Sequence, residues 1–483
     1  MAQRSTSDNY LAGFYKLKPT KDNKELYDFM VEVCKAATRP YNRAGWLMKQ
    51  EFVQTGKVPN WQHVRDAMIA DREDAIYGHT DILSVSLAKE QIRMRGKEWK
   101  SFLGLLKAKK NGTYDKPVHT PGYRAHDAMS ILYVTHGSIS KKLAKEGWLS
   151  FTGCPSRICR LPVPYERMKY VRVIPKPGYF RIEMVFEAKH KGMVNSNRSP
   201  VYAGVDLGVN NLAAVSIDKP GVKPLIIDGL KLKSENVFYN ALIAKKKSEL
   251  PKAWFQKEDS MVLGKVHSSK AIKVEWDKRD MFIQAYLHWA SRQVINYLKA
   301  NGVTNLIIGH NDGWKQGIKK SKRLSRKARA HFAYIPFNRF ICMLTYKARK
   351  AGIETQVVEE SYTSKTCVLT GELPVKHESY AATRVKRGYL KVKDTGVIIN
   401  SDVNGACQIV RKCKPDAFSV EVDGVEVWDG LLRPVKLFYG SRLRCAPSVL
   451  LSSGFHSIVL SGKLIDVQNG ISLGAGCLGQ VRS

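Results

Sequence analysis

The chain has 483 residues, enough for two or three domains with cores of their own. Its apolar and charged fractions, 44% and 25%, are ordinary for a globular protein, but 79 Lys and Arg face 43 acids, leaving a net charge of +36. Such an excess repels itself unless a polyanion neutralises it, and nucleic acid is the commonest polyanion; a ribosome-like basic protein is the plain alternative.

The N-terminus has no apolar leader and no stretch is apolar enough to span a membrane. The nine cysteines are odd in number and scattered, which excludes a disulfide framework and points to a reducing cytoplasm.

In chain order, residues 11–18 (LAGFYKLK) read as a short strand. From Asp22 the spacing of Leu26, Phe29, Met30 and Val33 predicts a helix that Pro40 should end or kink, with AGWLMKQEF resuming it. A second helical stretch follows from Asp81 to Gly112, and alternation over 170–188 predicts a hairpin around PKPG. From Val201 the texture becomes α/β: VYAGVDLG and LAAVSI are apolar strands joined by a Gly/Asn turn. A charge-rich helical region over 235–300 precedes a strand at 304–309, a helix at 338–352 and a strand at 354–360. Strand, helix, strand at this spacing argues for a partly parallel, covered sheet.

Three acids stand at element ends in this α/β half. Asp206 ends the first strand inside GVDLGVNN, Glu360 ends ETQVVEE, and Asp402 opens a helix in NSDVNGA. Hydrolysis of a phosphodiester by two metal ions requires several carboxylates converging where hard cations find oxygen. Taken singly, each acid is more often a cap, turn or surface residue.

GVDLGVNNLAAVS, LIIGHNDGWKQ, MLTYKARKAGI, EESYTSK and RGYLKVKDTGVIINSDVNGACQIVRK, in this order, resemble the TnpB family of transposon-encoded RNA-guided nucleases and the type V CRISPR effectors descended from it. Weaker resemblance lies in RPYNRAGWLMKQEF, GKEWKSFLGLLKAKK and KPVHTPGYRA. The resemblance implies an α/β RuvC (RNase H-like) nuclease domain preceded by a β-barrel wedge domain with a helical recognition-lobe insertion. The corresponding segments are 1–20 and 149–200 for the wedge, 21–148 for the lobe, and 201–365 and 396–440 for the nuclease domain. Residues 366–395 then form a zinc-ribbon-like target-nucleic-acid-binding insertion, and 441–483 a tail of unassigned role. It further implies a guide RNA (a transposon-end RNA or a CRISPR RNA), a double-stranded DNA target, a short flanking motif, and Mg²⁺, with Mn²⁺ as a substitute. Here Asp206 and Asp402 match the family's metal ligands, and Glu360 completes the set by the argument that follows.

Two departures stand out. Most family members carry their second carboxylate at the end of the strand that here reads LIIG, where this chain has Gly309 followed by His310 and Asn311. Either the nuclease is inert or the carboxylate has moved to a neighbouring strand. Strand alternation allows only one of Glu359 and Glu360 to serve; Glu360, nearest the turn, is preferred, and Asp312 is the outside candidate. Secondly, the ribbon's Cys-x-x-Cys pairs are missing: Cys367, His377, Cys407 and Cys413 do not make a zinc set, so structural zinc is not expected.

Basic clusters at 313–329 and 384–393 complete the reading. Lys315, Lys319, Lys320, Lys322, Arg323, Arg326, Arg384, Lys386 and Arg387 are candidates for phosphate contacts, although a charge run is more often a solvated face. Trp314, Tyr334 and Tyr389 are candidates for base stacking, although aromatics are more often core. The functional expectation is an RNA-guided DNA endonuclease; the alternatives are an inert RNA-guided DNA-binding protein and a RuvC-like nuclease without a guide.

Overall fold

The structure, a computed structural model, describes residues 10–70, 82–125, 127–187, 199–257, 260–266, 268–311, 334–386, 388–418, 421–422, 425–426, 429–441, 457–460 and 463–466. The chain divides into two compact units, Met1–Lys189 and His190–Ser483.

In the first unit, β1 (Tyr10–Leu17) leads into four helices: α1 (Lys24–Ala36), α2 (Thr38–Thr55), α3 (Trp61–Ala70) and α4 (Val85–Lys110). Pro40 neither ends nor kinks a helix. The break falls at Ala37, and Pro40 sits in the first turn of α2, where its missing N–H would have had no intrahelical partner. After the helices come β2 (Leu132–Thr135), α5 (Lys141–Lys145), β3 (Trp148–Leu149), β4 (Cys159–Arg160), β5 (Met168–Lys176) and β6 (Tyr179–Glu187).

The strands make an open antiparallel sheet of order β1-β6-β5-β2 and a separate β3–β4 pair. Among the described residues this is an open sheet with edges at β1 and β2, where a closed barrel was expected. The sheet also resumes earlier than expected, since β2 pairs with β5 from Leu132 onward; LYVT is too short for alternation to declare it. In the β5–β6 hairpin Lys176 faces Tyr179, so Pro177 and Gly178 form the loop and Gly178 supplies the left-handed φ of 80°.

A buried arginine ties this unit together. Arg95 on α4 donates to the carbonyls of Pro121 and Gly122 at 2.8 and 2.9 Å and lies over the Tyr41 ring. Gly45 on α2 makes room for it, since a Cβ there would stand 2.4 Å from Arg95 Nε.

The second unit is built on one mixed sheet. It begins with β7 (Tyr202–Leu207), β8 (Asn211–Ile217) and β9 (Leu225–Asp228), followed by α6 (Leu230–Ser248). The expected continuous helical region is then interrupted by a hairpin, β10 (Lys252–Lys257) with β11 (Ser260–Lys265), before the long α7 (Lys270–Ala300). The apolar runs AWF and MVL are too short for periodicity to tell strand from helix, and Pro251 marks the break before them.

Next come β12 (Asn305–Gly309), α8 (Phe337–Lys350), β13 (Glu354–Val358), β14 (Ala382–Lys386), β15 (Tyr389–Val392), β16 (Ile398–Asn400) and α9 (Ser401–Arg411). The two-residue strands β17 (Glu421–Val422) and β18 (Val425–Glu426), the short α10 (Asp429–Leu432) and β19 (Val435–Leu437) follow, and a hairpin of β20 (Ser457–Leu460) and β21 (Lys463–Asp466) lies in the tail.

The six-stranded sheet runs β13-β12-β7-β8-β9-β19. β7, β8 and β9 are antiparallel neighbours, whereas β12 is parallel to both β7 and β13. Both faces are covered. Val205, Leu207 and Val215 pack with Tyr286, Leu287 and Val294 of α7 and with Phe340 and Leu344 of α8. Ala214 and Ile307, on the other face, pack with Val403, Cys407 and Val410 of α9. Gly204 permits this approach: a Cβ there would lie 2.0 Å from the carbonyl oxygen of Ala406. The residues of β7, β8, β9 and β12 are largely apolar because both faces are buried there, whereas the edge strand β13 is mostly exposed. Truncating a large buried one such as Leu306, or a helix residue such as Leu344, to Ala would cost about 2–5 kcal/mol.

Candidate active site

The sheet register brings the predicted acids together. Ile308 of β12 pairs with Val205 of β7, so Gly309 comes next to Asp206. Gly309 in turn pairs with Val358, the last residue of β13, and Glu360 follows two residues later. Asp206 shares its face with Gly204 and meets α9 at Gly405, where a Cβ would stand 2.9 Å from Asp206 Oδ2. Asp402 enters from the first turn of α9. Its helix is capped by Asn400, whose Oδ1 accepts from the N–H groups of Asp402 and Val403 at 2.9 and 3.2 Å.

Glu360 and Glu359 point to different surroundings. Glu359 is exposed, accepts a hydrogen bond from the Ser361 hydroxyl and pairs with Lys412 at 3.3 Å. Glu360 is half-buried, and the Cβ that Gly309 lacks would begin 3.1 Å from its Oε2. Its carboxylate therefore reaches the space that a side chain at 309 would occupy.

The electrostatics reflect this crowding. Burial, then the charges of Asp402 and Glu360, push the Asp206 carboxyl well above the ordinary carboxylate range; the Leu207 N–H and Arg384 oppose the shift. Glu360 is raised to about 7, first by burial and then by Glu359, with Lys412 acting against.

Two amides that sequence reasoning missed hold the rim acids. Asn211 Nδ2 donates to Asp402 Oδ2 at 2.8 Å, and Asn311 Nδ2 donates to Glu360 Oε1 at 3.2 Å. The only signal was their place in GVNN and GHND, in the turn that opens β8 and just past the end of β12.

Among the described residues no three acidic, histidine or cysteine side chains are gathered tightly enough to cage an ion as they stand. The donor set nevertheless fits a divalent cation. Three carboxylates converge around two glycines, and Glu360 Oε2 is buried with no hydrogen-bond partner.

A cleft of about 560 Å³ opens beside Asp402, lined also by Asn211, Ser401, Arg384, Tyr389 and Lys436. Arg384 and Lys386 stand on β14, and Lys386 lies 4.9 Å from the centre of the Tyr389 ring. Tyr334 stands apart from this cleft's lining, with Arg279 over its ring. Lys315, Lys319, Lys320, Lys322, Arg323, Arg326 and Arg387, with Asp312 and Trp314, lie outside the described residues.

In the insertion, Cys367 is buried and His377 is half-buried, with its Nε2 at 2.9 Å from the Leu373 carbonyl. Glu372 holds the loop: its carboxylate accepts from the N–H of Cys367 at 2.8 Å and of Ala381 at 2.7 Å.

Two family models match the chain. One, a probable transposase family (OrfB of IS605), covers residues 188–315, and the other, the TNB domain of Cas12f1-like proteins, covers 337–409. The resemblance carried by the sequence motifs is thus found again over these two stretches, which are similar to TnpB transposases and to Cas12f1-like proteins.

No curated protein sequence matches the chain. Among solved structures, a Cas12f1–sgRNA–target DNA complex is 14% identical with a TM-score of 0.31, covering 82% of this chain and 98% of that one. A CRISPR–Cas12f ternary complex is 14% identical with a TM-score of 0.31, covering 79% and 80%. CasPhi-2 (Cas12j) bound to crRNA and phosphorothioate-DNA is 10% identical with a TM-score of 0.37, covering 86% and 93%. Likenesses this weak carry no argument about the site. No helix among the described residues is long and apolar enough to cross a membrane.

Proposed function

We propose that the protein is an RNA-guided, Mg²⁺-dependent DNA endonuclease with a single RuvC-type site formed by Asp206, Glu360 and Asp402. The observation that carries this reading is Glu360 Oε2, buried and unpartnered at the gap left by Gly309. A third carboxylate thereby reaches Asp206 although the usual position holds no side chain. Three antiparallel strands continued by two parallel ones is also the strand order of RNase H-like nucleases, and the family matches point the same way. In this reading the open sheet of the first unit is the wedge domain and α1–α4 are the recognition lobe.

Mg²⁺, or Mn²⁺ in its place, would activate water and stabilise the leaving oxygen. The chain's own residues do the rest. Asp206, Glu360 and Asp402 supply the anionic oxygens, and Asn211 and Asn311 orient two of them. Arg384 and Lys436 meet backbone phosphates in the cleft, and Tyr389 offers a ring face to an unpaired base. The charge of +36 suits a guide RNA and a double-stranded DNA target held together, with the guide reading sequence by base pairing.

The test is to sequence the RNA that co-purifies, rebuild the complex with it, and assay guided binding and cleavage with Mg²⁺. Guided cleavage that Asp206→Ala and Glu360→Gln abolish, with guided binding intact, supports the reading. The second reading, an inert guided binder, is favoured by Gly309 alone. It wins if the wild type binds guided targets and never cuts them with Mg²⁺ or Mn²⁺.

A further inference from the structure

Glu360 stands beyond the end of its strand. β13 stops at Val358, so no ladder hydrogen bond fixes the residue that brings the third carboxylate. The turn after it is strained, since Tyr362 holds a φ of 65°, which costs a side-chain-bearing residue on the order of 1 kcal/mol. Without some other restraint the carboxylate would be free to swing toward solvent.

Asn311 supplies the restraint. The backbone N–H of His310 still reaches the Val358 carbonyl at 2.8 Å, so Asn311 stands where the β12–β13 ladder gives out. Its amide then grips Glu360 twice. Asn311 Oδ1 accepts from the Glu360 N–H at 3.1 Å, and Asn311 Nδ2 donates to Glu360 Oε1 at 3.2 Å. One side chain thus fixes both the backbone and the carboxylate of the same residue. With Oε1 taken, Oε2 is the oxygen left without a partner beside Gly309.

We infer that Asn311 is a positioning residue of the divalent-cation site: it occupies one oxygen of Glu360 so that the other faces the ion. The inference rests on the reading of Glu360 as a ligand. Only a neutral amide of this length can donate to the carboxylate and accept from the backbone together. An aspartate would keep the acceptor, lose the donor and add a fourth negative charge.

The experiment uses the full chain with its guide RNA and counts bound Mn²⁺ by electron paramagnetic resonance. The same complex carrying Asp206→Ala sets the baseline for ions held by RNA. Asn311→Ala should weaken site-bound Mn²⁺ by about 10- to 100-fold, the usual effect of losing a group that orients a ligand. Half-saturating Mg²⁺ for cleavage should rise by the same factor, the rate at saturating Mn²⁺ should recover, and guided DNA binding should be unchanged. Asn311→Asp keeps the acceptor but replaces the donor with a negative charge that repels the Glu360 carboxylate. It should weaken Mn²⁺ at least as much, which decides the matter if the alanine variant folds poorly. Wild-type Mn²⁺ binding in Asn311→Asp beside its loss in Glu360→Gln overturns the inference. If Glu360→Gln also binds Mn²⁺ normally, the reading of Glu360 as a ligand is what fails.

Discussion

Glu360 Oε2 lies 3.1 Å from the point where a side chain on Gly309 would begin. Gly309 ends β12 and Glu360 follows two residues after the end of the parallel neighbour β13, and one has no side chain where the other delivers a carboxylate. Removing that charge should therefore separate cutting from binding. Glu360→Gln keeps the shape, and losing several kcal/mol of charge stabilisation should slow guided cleavage by about 100-fold or more. Guided binding, which rests on base pairing and phosphate contacts, should stay within a few-fold. Glu359→Gln, on an exposed residue paired with Lys412, should be mild. A normal cutting rate in Glu360→Gln beside a dead Glu359→Gln would transfer the role to the neighbour.

The raised carboxyls predict a pH dependence with a definite sign. A folded-state value of about 7 for Glu360, against 4.5 for an ordinary glutamate, means that the fold binds more protons than the unfolded chain between these values. Stability without divalent cations should therefore fall as pH rises through that window and level off above about pH 7. Glu360→Gln should flatten this part of the melting-temperature profile; Asp206, raised in the same direction, contributes with the same sign. Because Lys412 pulls the Glu360 value down and Glu359 pushes it up, Lys412→Met should move the acid limb of cleavage to higher pH and Glu359→Gln to lower pH. Limbs that moved the opposite way would show that another group sets the profile.

The insertion should hold its shape without zinc. Burial pushes the Cys367 thiol up, against the thiolate that zinc requires, and the Glu372 carboxylate already fastens the loop through Cys367 and Ala381. Elemental analysis of purified protein should find no stoichiometric zinc, and chelators should leave the melting temperature alone. Glu372→Ala, which strands two backbone N–H groups, should destabilise the protein by about 2 kcal/mol. About one zinc per chain, with Glu372→Ala harmless, would reverse both expectations.

Much of this was legible in the sequence because the relevant elements are short and strongly patterned. β7, β8 and β12 are buried apolar runs bounded by turns, and β13 is an exposed edge strand that follows them. Asp206 and Glu360 stand at or just past strand ends, and Asp402 opens α9. What stayed hidden depended on contacts between distant residues. β19 joins the sheet edge beside β9 through only three residues, too few for periodicity to reveal. The roles of Asn211 and Asn311 arise only when β8 meets α9 and the ends of β12 and β13 meet, and an asparagine in a turn beside a strand is usually there for the turn. Alternation along ETQVVEE could say that only one of Glu359 and Glu360 serves, and nearness to the turn could favour Glu360, but neither could show the close approach of its Oε2 to Gly309.

The cleft beside Asp402 gives a further test. Arg384 lines it and its charge reaches Asp206, while Lys436 is partly engaged with Asp228 at 3.0 Å. Arg384→Ala should slow cleavage more than it weakens guided binding, because its charge is offered at the acids and not along the whole duplex. An equal fall in both would make it an ordinary backbone contact.

Restoring the carboxylate to position 309 is the most demanding test of the relocation. A Cβ on Gly309 would stand 2.5 Å from Ile409 Cδ1 and 3.0 Å from its Cγ1. Gly309→Ala alone should therefore cost about 1–3 kcal/mol, toward the low end because the isoleucine tip can turn away. Gly309→Glu in the native background should be worse, since the new side chain would run into both Ile409 and the Glu360 carboxylate and add a like charge beside Asp206. Once Ile409 is cut back to Ala and Glu360 is neutralised to Gln, the introduced carboxylate has room and no rival. The triple variant Gly309→Glu, Ile409→Ala, Glu360→Gln should then cut guided DNA at least about tenfold faster than the double variant lacking Gly309→Glu, at equal Mg²⁺. If the two cut alike while both bind guided targets, the two positions do not serve one cavity, and the exchange of Gly309 for Glu360 is not the explanation of this site.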